Sequence, residues 1–262
     1  MKERSLRTLE HKYSGKAAGE LSEVMQRARS SMAPALREHT PLIFQVFNLI
    51  NIAGMAASNG KTSDSKYVCA NLLARIARDL LALVSLARDG LADQTCVIAA
   101  STYECAVTIG AVGDDNSEAA RWLAHADLTR SVDTVKESSL RTEKALNLEI
   151  ELYKFYRSLC APKHSNPVSQ KHSGRDACRE HALCNAQYFF PTGSTRDQFE
   201  AGVAIEIALM MANLALLSFI NNHIELRAKS EFLEQLSELE NAVNKLLISR
   251  ADSVPEHCRT TS

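Results

Sequence analysis

The chain has 262 residues, enough for one large domain or two small ones, and its formal charge of −1 excludes a uniformly basic nucleic-acid-binding protein of the histone type. Gly (10) and Pro (6) are scarce while Ala and Leu are frequent, which predicts an all-α fold, a multi-helix antiparallel bundle. The seven Cys are scattered, and the charged start MKERSLRTLEHK lacks the apolar core of a secretory signal. We therefore expect no disulfide framework and a cytoplasmic location.

The apolar periodicity divides the chain into an N-terminal helical extension over 1–40, a bundle domain over 41–250 and a disordered tail over 251–262. Pro162 is expected to stop or kink a helix at Ala161, with a polar loop over 162–176 after it. The predicted bundle helices cover about 41–57, 64–88, 91–112, 117–137, 139–161, 176–187, 195–228 and 229–250.

Two of these helices have clear apolar stripes. The helix over 64–88 is the most regular and is expected to end at Gly90 in a left-handed cap. Its stripe comprises Cys69, Leu72, Leu73, Ile76, Leu80, Leu81, Val84 and Ala87. The last helix has apolar residues at alternating spacings of four and three, which favours packing inside the bundle over a free-standing coiled coil. These residues are Phe232, Leu236, Leu239, Val243 and Leu246.

The most apolar stretch, Val203 to Ile220, is predicted to be a buried helix and not a membrane span, because it contains Glu206 and Asn213. Glu104 stands in a similarly apolar context. A buried carboxylate needs a partner, and Arg75, Arg78 and Arg157 are the candidates for Glu104. A structural pair and a catalytic role both remain open for it.

The chemistry-bearing pattern is Arg157 followed seven positions later by His164, at the end of a predicted helix and in the most basic stretch of the chain. Metal-independent RNA cleavage needs a group of near-neutral pKa to move protons and a permanent cation to stabilise charge on the phosphate. Histidine and arginine are the residue types that serve these roles. The basic side chains expected to bind nucleic acid are Lys154, Lys163, Lys171, Arg175 and Arg179.

This Arg-x6-His pattern resembles the signature of the HEPN superfamily, compact α-helical domains that include many dimeric ribonucleases of toxin, antiviral and RNA-processing systems. Residues 64–166 are also similar to an uncharacterised bacterial helical family, a "domain of unknown function". The segments that carry this similarity are RIARDLLALVSLARDG at 75–90, AASTYEC around Glu104, EAARWLAHAD at 118–127 and YRSLCAPKH at 156–164.

The resemblance implies that Arg157 and His164 are catalytic, that they are paired across a homodimer, and that Glu104 orients Arg157. It also implies an antitoxin-like partner protein, and it calls for no metal or cofactor. The chain departs from the family pattern at Ser158, where active members commonly have Asn, Asp or His, and in its Pro-containing spacer.

Three alternatives remain open on the residues alone. The first is a non-catalytic scaffold that binds protein or nucleic acid through the basic segment 154–181. The second is a zinc site at Cys178, His181 and Cys184, whose helical spacing would require a remote fourth ligand. The third is a recognition surface formed by Arg121, Trp122 and His125, although a lone Trp on an amphipathic helix is more often part of the core.

Overall fold

The computed structural model describes residues 22–58, 62–125, 131–163, 193, 195–223 and 226–252, and the regular structure within these ranges is entirely α-helical. The predicted all-α, multi-helix bundle is therefore confirmed. The nine helices in the described ranges are α1 (22–35), α2 (His39–Ser58), α3 (Asp64–Arg88), α4 (Ala92–Val112), α5 (Asn116–Leu123), α6 (Val135–Ala145), α7 (Leu152–Lys163), α8 (Thr195–His223) and α9 (Leu226–Asp252).

Helices α4 and α8 pack against each other at the centre of the bundle. In the described part of the chain they are the two helices long and apolar enough to cross a membrane, yet 67% and 78% of their most apolar windows are buried by the other helices. Helix α4 also contacts α3, α6 and α7, and helix α8 also contacts α2, α3 and α9. The helix predicted to be buried over Val203 to Ile220 is therefore largely enclosed by its neighbours in the bundle.

The ends of α3 confirm the helix predicted over 64–88. Both ends are capped by residues next to the helix in the sequence. The side chain of Ser63 accepts a hydrogen bond from the backbone N–H of Lys66 at 3.2 Å, and Gly90 has a φ of +77°. The predicted stripe is wrong at Leu81, whose side chain is 39% exposed, whereas Leu83 is fully buried. The buried face follows the contacts of α3 with α4 and α8, and this rotates it away from Leu81.

The predicted helices over 117–137 and 139–161 are wrong in their boundaries, since the structure has α5, α6 and α7 there. Helix α6 ends at Ala145, and Asn147 adopts a left-handed φ of +50°. The Glu143 carboxylate then accepts a hydrogen bond from the backbone N–H of Leu152 at 2.7 Å, which satisfies a donor in the first turn of α7. The break thus depends on a side-chain contact across the turn.

At its other end, α7 continues through Pro162 to Lys163, so the stop predicted at Ala161 does not occur. Pro162 removes one backbone donor, and the described chain keeps helical geometry up to Lys163. The loop over 162–176 and the short helix over 176–187 otherwise fall outside the described residues.

Both ends of the described chain join the core. Phe232, Leu236, Leu239 and Val243 are buried, and α9 packs against α2 and α8, which confirms the prediction that this seam packs inside the bundle. At the other end, residues assigned to an N-terminal extension contribute Met32 and Leu36 to the same hydrophobic core. The packed bundle therefore includes the C-terminal part of α1.

Candidate functional site

The central helix α4 reaches solvent along one narrow polar line. From Ser101 to Ala111, partial exposure is confined to Ser101, Glu104, Thr108 and Ala111, at spacings of three and four. Ser101 contacts α3, and Glu104 contacts α7. The line therefore lies between α3 and α7, and we call it the α4 stripe.

Glu104 holds α7 against α4 through Tyr156. The Tyr156 hydroxyl donates a hydrogen bond of 2.7 Å to Glu104 Oε1. The Tyr156 ring lies 5.2 Å from that of Tyr103 and 5.9 Å from that of Tyr153, centroid to centroid. Burial, the Glu104 carboxylate and Cys160 together raise the pKa of Tyr156 far above its usual value. Tyr156 therefore stays protonated at neutral pH and remains a donor to Glu104.

On the α3 side, three polar residues form a chain of hydrogen bonds. An Arg75 guanidinium N–H donates to Ser101 Oγ at 3.1 Å, and the Ser101 hydroxyl donates to Asp79 Oδ2 at 2.8 Å. Burial raises the pKa of Asp79, against the opposing effects of the Ser101 hydrogen bond and the nearby Arg75 charge. The Asp79 carboxylate thus lies on the buried side of the Ser101 hydroxyl, and the Arg75 guanidinium lies on its solvent side.

Arg157 lies at the edge of the buried face of α7. Leu152 and Leu159 anchor that face in the core, while Arg157 is exposed. Tyr156 faces Glu104, and Arg157, the next residue, projects about 100° further round the helix, toward its exposed side. The helix therefore carries the Arg157 side chain into solvent one residue after the contact of Tyr156 with the α4 stripe.

The structure places some of the predicted site residues and leaves others outside the described ranges. Glu104 is half-buried, and Lys154 is exposed and pairs with Glu151 at 2.9 Å. For Lys163 only the backbone is described. Outside the described residues lie His164, Lys171, Arg175 and Arg179, together with Cys178, His181 and Cys184 of the candidate zinc site. Among the residues that the structure does describe, no group of three or more His, Cys, Asp or Glu could hold a metal ion.

A second polar site closes the far end of the α4 stripe. Arg121 and Arg141 each bond both Glu118 and Asp133, at 2.7 to 3.1 Å, around a cavity of about 50 Å³. Trp122 lines this cavity and packs partly against the core. The two arginines are matched by two carboxylates, so the site is a neutral, structural network and offers little net charge to a ligand.

The third polar feature is inside the core. His39 Nε2 lies 2.9 Å from Glu206 Oε1, and both side chains are buried. The predicted need of Glu206 for a partner is thus met by the first residue of α2. This pair connects α2 to α8 and has no exposed surface for a substrate.

Sequence reasoning missed Tyr156, Ser101 and Asp79. Ser101 was visible as a polar residue one turn from Glu104 in an apolar helix, whereas Tyr156 and Asp79 gave no comparable signal. Arg75, a candidate partner for Glu104, instead bonds Ser101. The signal for Ser101 was the polar periodicity of α4.

Fold and site together define an all-α bundle with a polar, solvent-facing line on its central helix, flanked by exposed arginines on two neighbouring helices. Comparison of the chain with protein-family models, with curated proteins and with solved structures finds no match.

Proposed function

We propose that the chain is an HEPN-like, metal-independent endoribonuclease acting in bacterial defence or stress. The observation that supports this best is the position of Arg157, which is exposed on α7 directly after Tyr156, the residue bonded to Glu104. Because α7 is fixed at the adjacent residue, the backbone that carries Arg157 is held in place before any ligand arrives. Such preorganisation is what stabilisation of a developing phosphate charge requires.

In the proposed reaction, the 2′-oxygen of a ribose attacks the neighbouring phosphorus and the bond from phosphorus to the 5′-oxygen breaks. His164 exchanges the protons, taking one from the 2′-hydroxyl and returning one to the leaving oxygen. Arg157 donates two hydrogen bonds to the non-bridging oxygens as their charge grows. The products are a 2′,3′-cyclic phosphate and a 5′-hydroxyl, so no metal and no external oxidant or reductant is needed.

Glu104 acts in this proposal as a positioning residue. Its hydrogen bond to Tyr156 ties α7 to the central helix one residue before Arg157. The resemblance assigns Glu104 the task of orienting the arginine, and the tie through Tyr156 offers one physical route by which it does so. Lys154, Lys163, Lys171, Arg175 and Arg179 supply the wider basic surface for RNA in this proposal.

The test is RNA cleavage in EDTA by the wild-type protein and by Arg157→Ala and His164→Ala, purified side by side. We expect the wild type to leave cyclic-phosphate and 5′-hydroxyl ends, and each variant to lose about 100-fold or more in rate. Arg88→Ala and His125→Ala are matched controls, because both residues are exposed and neither belongs to the proposed site. Equal RNA decay by all five proteins would rule the chemistry out.

The proposal extends to assembly and location. We propose a homodimer that pairs two copies of the Arg157 and His164 site, an antitoxin-like protein partner and a cytoplasmic location. Light scattering of the purified chain tests the dimer. A monomeric mass that persists while the protein cleaves RNA would contradict the shared site and leave the chemistry standing.

The second candidate function is a non-catalytic scaffold that binds protein or nucleic acid through the basic segment 154–181. Its support is that Lys154 and Arg157 are both exposed on α7, where they are available to a partner. The same assay separates the two functions, since a scaffold binds RNA or protein without producing cyclic-phosphate ends.

A further inference from the structure

Arg75 differs from the other exposed arginines because its side chain is held by Ser101 and Asp79. Its side chain is 58% exposed, whereas the carboxylate of Asp79 behind it is only 16% exposed. The direct contact between Arg75 Nε and Asp79 is long, at 4.0 Å, and the Ser101 hydroxyl bridges the two groups. An ion pair with this exposure contributes little to stability. Its main effect is therefore to orient the Arg75 guanidinium.

This arrangement leaves most of the guanidinium open. A guanidinium has five N–H donors in a planar fork, and in the described part of the chain one of them is bonded to Ser101. Of the remaining donors, Nε lies 4.0 Å from Asp79 Oδ2, and the 58% exposure of the side chain leaves the others accessible at the edge of the α4 stripe. A planar, partly anchored fork matches the geometry of a phosphate with two free oxygens.

Arg75 on α3 and the helix that carries Arg157, α7, lie on opposite sides of the α4 stripe. Ser101, which holds Arg75, and Glu104, which holds Tyr156 next to Arg157, are three residues apart on one face of α4. Side chains at that spacing start only about 5 to 6 Å apart at Cβ. The contacts by which α3 and α7 attach to the central helix are therefore about one helical turn apart, which suits successive phosphates of one strand.

We propose that Arg75 is a second phosphate-binding residue and that single-stranded RNA crosses the α4 stripe between Arg75 on α3 and Arg157 on α7. The inference rests on the proposed endoribonuclease function and adds the path of the substrate to it. Ser101 and Asp79 are positioning residues in this arrangement, since they touch Arg75 and not the RNA. Arg157 contacts the phosphate that reacts, and Arg75 contacts a neighbouring one.

The test uses an unstructured RNA oligonucleotide with 2′-O-methyl groups, which lacks the attacking hydroxyl and cannot be cleaved. Its binding is measured by fluorescence anisotropy at several salt concentrations. Arg75→Met should weaken binding about tenfold at low salt and reduce the slope of log affinity against log salt by about 0.7, the loss of one phosphate contact. Arg75→Lys should keep the slope. Ser101→Ala should weaken binding with the slope unchanged, because it frees Arg75 without removing its charge.

Arg88→Met is the control, because it removes an exposed arginine from the same helix about 20 Å away. Binding and slope equal to those of Arg88→Met would overturn the role of Arg75 while leaving cleavage by Arg157 and His164 untouched. Wild-type protein that neither binds the oligonucleotide nor cleaves unmodified RNA would overturn the proposed function, and the substrate path with it. Thermal unfolding of Arg75→Met should match the wild type, which separates a binding role from a structural one.

Discussion

The close packing of α4 on α6 makes Gly110 a sharp test of the architecture. A Cβ placed on Gly110 would lie 2.5 Å from both Cγ2 and Oγ1 of Thr142. Thr142 is fully buried, and its hydroxyl donates a 2.8 Å hydrogen bond to the carbonyl of Val107, so the side chain cannot rotate away without breaking that bond. Gly110→Ala must therefore displace a helix or sacrifice a buried hydrogen bond.

The magnitude follows from three opposing effects. Overpacking costs about 1 to 3 kcal/mol, and losing the Thr142 hydrogen bond costs about 1 kcal/mol more. The better helix propensity of Ala returns about 1 kcal/mol. We expect Gly110→Ala to lower the free energy of unfolding by about 2 kcal/mol, which corresponds to a fall in Tm of about 4 to 8 °C. Gly54 provides the matched control, since nothing lies within 4 Å of its added Cβ, and Gly54→Ala should stabilise by up to about 1 kcal/mol.

Thr142→Ala separates the clash from any general intolerance of α4. It removes the two atoms at 2.5 Å and leaves only the Thr142 Cβ contact at 3.0 Å. In that background Gly110→Ala should cost about zero, a coupling of about 2 kcal/mol in a double-mutant cycle. Chemical denaturation of the four proteins measures it. Additive effects of the two substitutions would mean that α4 and α6 do not meet as the structure has them.

Two further predictions concern α6 and the charges beside it. Thr134→Ala should lower the free energy of unfolding by about 1 kcal/mol, because Thr134 and Glu137 form a reciprocal capping box. Thr134→Ser should retain most of the stability that the cap contributes. An equal loss of stability for both variants would contradict the cap. Hydrogen bonds from Arg121 hold the pKa values of Glu118 and Asp133 below their usual range, so their stabilisation is present above the ordinary carboxyl pKa and is lost as pH falls through the lowered values. The stability difference between wild type and Arg121→Met should therefore shrink from about pH 6 to about pH 3, and a difference that stays constant over that range in urea titrations would refute the linkage.

The parts of the fold that could be predicted from the sequence depend on local signals. Helix α3 was predicted to the residue, because Ser63 and Gly90 mark its ends within one turn. The break between α6 and α7 was missed, because the residues around it have good helix propensity. What ends the helix there is the left-handed Asn147 and the capping of Leu152 by Glu143, a contact formed only when the turn closes.

The site was predictable only in part for a related reason. The exposure of Arg157 follows from helical phase once α7 is placed, but the partner of Glu104 does not. Tyr156 is 52 residues from Glu104 along the chain, and Asp79 is 22 residues from Ser101. Composition and periodicity indicate that a carboxylate in an apolar helix needs a partner, but they do not identify it, because several polar residues satisfy the same requirement.

Glu104 and Glu206 posed the same question as acidic residues in apolar helices, and the structure answers it differently for each. Glu206 is wholly buried beside His39, so its environment is protein on every side and its substitution should act through stability. Glu104 is half-buried, and its partner Tyr156 precedes an exposed arginine. A carboxylate in contact with solvent is open to the electrostatic influence of a bound phosphate, whereas one buried in the core is not. For that reason the search for function in this bundle belongs at the α4 stripe and not at the more deeply buried pair.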